Sequence, residues 1–513
     1  MYTYHNPVIP GFNPDPSICR DGEDFYLVTS SFEFFPGVPI YHSKNLVNWE
    51  CIGHCLTRPS QLPLANCQSS GGIYAPTIRK YKGLFYMTTT NVDMYSKGRP
   101  GNFIVHTDDI LNSWSEPVWI DQGGIDPSLL FFDDKTYFCS TGGEMNSGYA
   151  GDTEHGIYLC EIDPLSGKKF SPSKLISKGT GGRFAEAPHL YHINGMFYLM
   201  LAEGGTEYGH MVTVQRSRSI YGPYEPCPHN PVLSHRNRGG HPIQATGHAD
   251  MMEDQNGAWW LVCLGIRPLP RAMLHNLGRE TFLSPLRWID GWPVVGNNSG
   301  IELEMEGPLP AAPEPINFNY MTDFSGPLDP NWNYIRNPVE KNYVVKSGCL
   351  TLKGDDQTLS TANGNPVFIG MRQQAYVMSA ETTLRPPETG KAGITAFYNY
   401  DYHYEIFVER NGEGDMAIVL NKRIHDLEAE TFRQKIPACD KVSLRIKADT
   451  ENYTFEYKCG EGVWITAGRG LCAGLCTETT HTMTFTGVYI GLFAGGGNAD
   501  FLYSKSIVPK SLG

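Results

Sequence analysis

The 513-residue chain contains no run of about 18 apolar residues, so no helical membrane span is expected. Basic charge is short. Lys and Arg number 41 against 54 Asp and Glu, and the net charge of −13 argues against a nucleic-acid partner, which needs a basic face. The opening Met1-Tyr2-Thr3-Tyr4-His5-Asn6-Pro7 lacks the basic flank and apolar core of a secretion signal. The 13 cysteines are odd in number and scattered. Together these features lead to the expectation of reduced thiols and a cytoplasmic protein. Cys51, His54, Cys55 and Cys67 crowd together, but without a CxxC pair they read as buried thiols rather than a zinc site. Sustained 3.6-residue periodicity is also missing, which argues against helical architecture.

Glycine, proline and aromatic residues are plentiful: 55 Gly, 36 Pro and 12% aromatic. With many short apolar runs, this composition favours strands joined by turns. The stretch Asn13-Pro14-Asp15-Pro16-Ser17-Ile18 returns as Ala75-Pro76-Thr77-Ile78, Asp126-Pro127-Ser128-Leu129, Ala187-Pro188-His189-Leu190 and Ala249-Asp250-Met251. Ten residues separate Pro16 from Tyr26, Pro76 from Tyr86, Pro127 from Tyr137, Pro188 from Tyr198 and Asp250 from Trp260. Successive anchors lie 60, 51, 61 and 62 residues apart. Such a period marks a repeated supersecondary unit. Five units of short strands over residues 1–305 predict a five-bladed β-propeller; a pair of β-sandwiches would not need a fivefold spacing. A Pro-rich linker follows at 306–317. Alternating segments such as Tyr404-Glu405-Ile406-Phe407-Val408 then predict a β-sandwich over 318–513. The expected fold class is all-β.

Residues at equivalent starts of the innermost strands should meet around one mouth of the propeller. That expectation gathers Asp15, Asp126, Glu186 and His248, with Tyr74 at the corresponding place in the second unit. The acids are offset by one residue among the repeats, which is tolerable only if they lie just outside regular strand. Three carboxyls at one mouth must split their pKa values, and one raised and one ionised carboxyl is what glycoside hydrolysis uses. The alternative reading, that each Asp-Pro merely starts a turn, is weakened by their register with the repeat.

These motifs resemble glycoside hydrolase family 43. Beside those above, Gly278-Arg279-Glu280-Thr281-Phe282-Leu283 and Gly291-Trp292-Pro293 match. Phe35-Pro36-Gly37-Val38-Pro39-Ile40-Tyr41-His42-Ser43 is similar to its β-xylosidase and α-L-arabinofuranosidase branch, which carries a C-terminal concanavalin-like sandwich. The resemblance implies that Asp15 is the general base, Glu186 the general acid, and Asp126 the residue that holds Glu186 and raises its pKa. It implies further that Arg279 clamps sugar hydroxyls and that Phe32 and Tyr74 wall the sugar site. In some relatives the residue at His248 helps hold calcium, which would act structurally or by tuning charge; no cofactor is required for the chemistry. The implied enzyme is an exo-acting, inverting hydrolase that releases xylose from the non-reducing ends of β-1,4-xylo-oligosaccharides. An α-L-arabinofuranosidase acting on arabinose-containing oligosaccharides, or an enzyme doing both, is the alternative. A retaining fructosidase of a related fold would carry Arg-Asp-Pro and Glu-Cys, whereas Ile125 precedes Asp126 and Ala187 follows Glu186. A non-catalytic sugar-binding propeller fits poorly with three acids kept in register. Phe485-Thr486-Gly487-Val488-Tyr489-Ile490-Gly491 resembles a sandwich segment that reaches the mouth, with Tyr489 expected as the capping aromatic. The sequence leaves the oligomeric state open, a homo-oligomer included.

Overall fold

The computed structural model describes residues 1–94, 99–142, 154–270, 272–296 and 300–509. Five four-stranded antiparallel sheets follow one another along the chain. Their first strands are Ser17–Asp21, Thr77–Tyr81, Ile125–Phe132, Glu186–Ile193 and Gln244–Glu253, and these neighbour one another in a ring, the fifth closing on the first. The protein is therefore a five-bladed propeller followed by a β-sandwich. The first four anchors lie at the heads of the innermost strands of their blades, and the fifth, Ala249-Asp250-Met251, lies within the innermost strand of the last.

The residue after each anchor proline explains why the motif recurs. Its side chain reaches across to another blade. Ser17 Oγ donates to Asp250 and accepts from the Ile78 amide. Thr77 Oγ1 donates to the Pro127 carbonyl (2.9 Å), and Ser128 Oγ to the Pro188 carbonyl (2.5 Å). Proline at these points brings no N–H of its own, and its free carbonyl becomes the acceptor that ties neighbouring blades.

Asp250 is the hub of the axis. It is fully buried and takes a bidentate pair from Arg79 at 2.7 and 3.1 Å, a hydroxyl from Tyr191 at 2.6 Å and the Ile18 amide at 3.1 Å. Burial alone would raise its pKa, but Arg79 and the hydrogen bonds hold it far below the ordinary carboxylate range. Four blades meet in this one carboxylate. Asp250→Asn leaves Arg79 as an uncompensated buried cation and is expected to cost about 3–5 kcal/mol. Denaturant midpoints should drop accordingly. A midpoint within error of wild type would remove Asp250 as the hub.

The ring is closed by the N-terminal segment. Tyr2–His5 pairs with Glu304–Gly307, Asn6 holds both the amide and the carbonyl of Leu283, and Thr281 Oγ1 donates to the Asn13 carbonyl. Glu306 and Gly307, expected in the linker, thus belong to a closing strand. Beyond them Asn48 holds both the amide and the carbonyl of Glu314, so the linker lies on the first blade.

The sandwich comprises sheets of eight and six strands around a shared apolar core; residues 510–513 of its expected span lie outside the described residues. It is not tethered at a distance. Its strand Tyr334–Ile335 pairs with Phe34–Phe35 of the propeller. Glu33, next to that junction, accepts the Ser70 amide and the Ser69 hydroxyl. Burial pushes its pKa up to about 7, against the pull of Arg336. An acid with a raised folded pKa stabilises the fold fully below its unfolded pKa and loses that contribution as pH rises through its folded value. From the ordinary 4.5 to about 7, the loss is on the order of 3 kcal/mol. In Glu33→Gln the amide oxygen can keep the Ser70 N–H, and the Ser69 hydroxyl can turn to accept. The variant is expected to out-melt wild type at pH 8 but not at pH 4.5. Parallel melting curves across this range would show the assignment to be wrong.

All 13 cysteines are free thiols. Among the described residues no helix is long and apolar enough to cross a membrane.

Candidate active site

Asp15 (56°), Asp126 (52°), Ala187 (52°) and Ala245 (53°), at the heads of inner strands, and His248 (45°), in the middle of the fifth, have positive φ. Non-glycine residues rarely enter this left-handed region, and such strain gathers at functional sites. The ladders break at the same places, between Ile125 and Ser128, Glu186 and His189, and Gly247 and Ala249. These bulges suspend the strict alternation of strand side chains. The one-residue offset among the acids therefore does not force them onto opposite faces.

Asp15 is 4% exposed. Its Oδ1 accepts from Arg279 Nη1 at 3.1 Å and lies 3.4 Å from His248 Nδ1; its Oδ2 accepts from the Ser30 hydroxyl at 2.6 Å. Burial works to raise the Asp15 pKa. Arg279 and the Ser30 bond lead the opposing effects that hold the carboxyl below its ordinary value. Burial in turn lowers the pKa of His248, and that of the neighbouring His210 to about 3. Both imidazoles are thus neutral around pH 7, and Arg279 is the cation that keeps Asp15 ionised.

Arg279 is itself fixed from two sides. Nη1 donates to Thr206 Oγ1 at 3.0 Å, Nη2 to the Phe485 carbonyl at 3.3 Å, and its plane lies 5.7 and 5.5 Å from the Phe32 and Phe485 rings. Its Nε is buried and has no hydrogen-bond partner among the described residues.

Asp126 is buried at the start of the third inner strand, and Glu186 is half-buried at the start of the fourth; those two strands are neighbours in the ring. The loop leading to Glu186 is shaped by Glu203, a fully buried carboxylate. It accepts the amides of Thr180 (2.8 Å) and Gly182 (2.6 Å) and the hydroxyls of Thr180 and Thr213. Ala202, beside it, pairs with Glu186.

Phe32 and Tyr74 meet with ring centroids 5.3 Å apart, and Phe485 completes the triangle at 5.8 Å from each. Phe485 comes from the sandwich. Its amide donates to Ser70 Oγ at 3.0 Å, and the next residues run backbone to backbone along the propeller, with the Val488 amide on the Asn276 carbonyl. A side chain at Gly487 would collide with the Leu277 carbonyl, so only glycine admits this approach.

Tyr489 is not the capping aromatic. It is fully buried in the six-stranded sheet, paired to Arg372 on one side and Phe397 on the other. Its ring stacks 4.2 Å from Phe34 and its hydroxyl donates to Asn333. The strand begins at Tyr489, so side chains from there onward are committed to the sheet. Phe485, four residues earlier and outside any strand, is free to leave it. Glycine at 487, a residue that permits close backbone approach, was the signal available in the sequence. Thr206, His210 and Glu203 were also missed, because no repeat or motif marks them.

Around His248 lie the His210 imidazole and the Asp15 carboxylate, which Arg279 already holds. No group of three ligating side chains gathers there among the described residues. The protein donors present do not by themselves fit a cation. Cys51, His54, Cys55 and Cys67 form no such group either.

Comparison with known proteins agrees with this geometry. The profile for glycosyl hydrolases family 43 matches residues 4–293, and that for the β-xylosidase C-terminal concanavalin A-like domain matches residues 321–504. The chain is 41% identical to a non-reducing-end α-L-arabinofuranosidase of Bacteroides ovatus, over 96% of this chain and 92% of that one. It is 42% identical to a xylosidase/arabinosidase of Butyrivibrio fibrisolvens over 80% of each. Among solved structures, the Bacteroides ovatus xyloglucan PUL GH43B superposes with a TM-score of 0.91 at 39% identity, covering 99% of this chain and all of the other. A xylan β-1,4-xylosidase of Bacillus halodurans gives 0.88 at 31%, covering 98% of this chain and all of that one. With a propeller and a sandwich matched in order along nearly the whole sequence, the chain belongs to glycosyl hydrolase family 43.

Proposed function

We propose that this protein is an exo-acting, inverting glycosidase that releases xylose from the non-reducing ends of β-1,4-xylo-oligosaccharides. The observation that carries the reading is Asp15, buried yet held ionised by Arg279 and the Ser30 hydroxyl. A general base must be unprotonated at working pH, and this one is. Glu186 is the acid that protonates the leaving oxygen. Asp126, at the head of the neighbouring strand, orients it. Water attacks the anomeric carbon from the Asp15 side, the proton passes to Asp15, and the glycosidic oxygen leaves with the proton of Glu186. Such a reaction places its carboxyls roughly 6.5–9.5 Å apart. Arg279, with its unpartnered Nε, holds ring hydroxyls against Phe32, Tyr74 and Phe485. No step needs a metal.

A second reading, release of α-L-arabinofuranose, is favoured by the Bacteroides ovatus relative. Side-by-side assay on nitrophenyl β-xylopyranoside and nitrophenyl α-L-arabinofuranoside separates the two by the ratio of kcat/KM. Proton NMR of the first product should show α-xylose from a β-xyloside. β-Xylose appearing first would make the enzyme retaining and overturn the roles given to Asp15 and Glu186.

A further inference from the structure

A second cluster with ligand chemistry lies in the sandwich, away from the three acids. Asp401, His425 and His481 each place one donor atom within 4.8 Å of the others. We propose that these three side chains form an exchangeable site for a divalent transition-metal ion of the zinc class, and that the ion pins the segment that carries Phe485 to the mouth.

The donor set is two imidazoles and one carboxylate, which suits zinc, cobalt and nickel better than magnesium or calcium. Asp401 is buried, whereas both histidines are exposed. Such a site is anchored at one corner and open to solvent at the others. The three residues come from three separate places. Asp401 lies in the turn between Gly390–Asn399 and Tyr402–Arg410, and His425 in the turn between Met416–Ile424 and Leu427–Ile436. His481 follows the short 3-10 turn Thr477–Thr479.

The surroundings already orient each donor. The His425 amide donates to the Asp401 carbonyl at 2.7 Å, joining the two turns. His425 holds φ at 56°, a conformation that side chains rarely adopt. The His425 and His481 rings lie 4.1 Å apart, and the Tyr402 hydroxyl meets both the amide and, at 3.4 Å, the Nδ1 of His481. Arg423 donates to Asp401 Oδ1 at 2.8 Å, but it is shared with Glu428, and a carboxylate has further lone pairs to offer a metal. Outer partners of this kind fix the first ligands of a metal site.

The link to the mouth is short. Phe485 follows His481 by four residues, and between them Thr484 is bonded to the Tyr398 hydroxyl at 2.6 Å. A metal that ties His481 to the two hairpin turns fixes the start of the segment whose other end lies against Phe32 and Arg279. The binding site itself does not depend on the reaction proposed above; only the effect on turnover does.

The test uses untagged full-length protein, treated with chelator and titrated with cobalt(II) and zinc(II). One cobalt per chain with visible d–d absorption is expected, together with a rise of a few degrees in the melting temperature with zinc. His425→Asn, which keeps a residue tolerant of positive φ, and His481→Gln should each lose the absorption and the melting shift while keeping the apo melting temperature. No cobalt absorption in wild type would overturn the proposal. So would a signal that survives both variants, since the ion would then sit elsewhere. For the functional half, zinc should lower KM for xylobiose several-fold in wild type and in neither variant. An unchanged KM would confine the ion to a passive role and refute the pinning.

Discussion

Asp15→Asn is expected to lower kcat by on the order of 10³-fold on every substrate, because general-base catalysis contributes about 10²–10⁴-fold and the water needs activation whatever the leaving group. The substitution keeps the size of the side chain and one acceptor for Arg279 or Ser30, so the fold should persist. Glu186→Gln should separate substrates instead. The leaving group of xylobiose is a second xylose, an alkoxide that must be protonated, and its hydrolysis should fall by a similar factor. A dinitrophenyl xyloside leaves as a stable phenolate and should lose less than about tenfold. Steady-state kinetics on the two substrates for both variants gives four numbers, and only the Glu186→Gln pair should differ from each other. Equal losses there would remove Glu186 from the acid role. The pH profile adds a check. Asp15 is held ionised below its ordinary pKa, so the acidic limb of kcat/KM should lie low and should move up in an Arg279→Met variant, whose base has lost its nearest cation.

The propeller was legible because its repeat has a mechanical cause. The residue after each anchor proline ties its blade to another, so Ser17, Thr77, Ser128 and His189 recur at one position and betray the period. The acids were legible for the same reason, since they sit one or two residues from those anchors. What sequence could not show was which residues serve Asp15 from a distance. Thr206 and Phe485 reach Arg279 from a blade loop and from the other domain, and contacts across such separations leave no periodic trace. Glu203 hides likewise: a buried carboxylate in an apolar strand announces a partner but not that its partners are the amides ahead of Glu186. Tyr489 does not cap the mouth because the strand Tyr489–Gly495 begins at it. The first residue of a strand paired on both sides belongs to the sheet, and the free aromatic lies before it.

Phe485→Ala is expected to lower kcat/KM by roughly 5–30-fold, the equivalent of about 1–2 kcal/mol of lost ring contact with the sugar and with Arg279. Tyr489→Phe, by contrast, removes only the bond to Asn333 and should leave kcat/KM unchanged while lowering stability by about 1 kcal/mol. The contrast matters because both residues are aromatic and stand four apart in one segment, yet one faces the mouth and the other the junction. Deletion from residue 318 onward should nearly abolish activity. It removes Phe485 together with the strand that pairs with Phe34–Phe35, and it uncovers Phe12 and Phe34. Since that truncated chain would expose a large apolar face, loss of folding could mimic loss of the cap. Phe485→Ala keeps the face covered and so isolates the contact. The product pattern follows from the same geometry. On the proposed reading, the Phe485 ring beside Phe32 and Tyr74 would close one end of the cleft and admit only chain ends. Wild type should release single xylose units from xylohexaose from the earliest time points. If Phe485→Ala matches the wild-type rate on both xylobiose and an aryl xyloside, the sandwich takes no part in the pocket and its contact with Arg279 serves the fold alone.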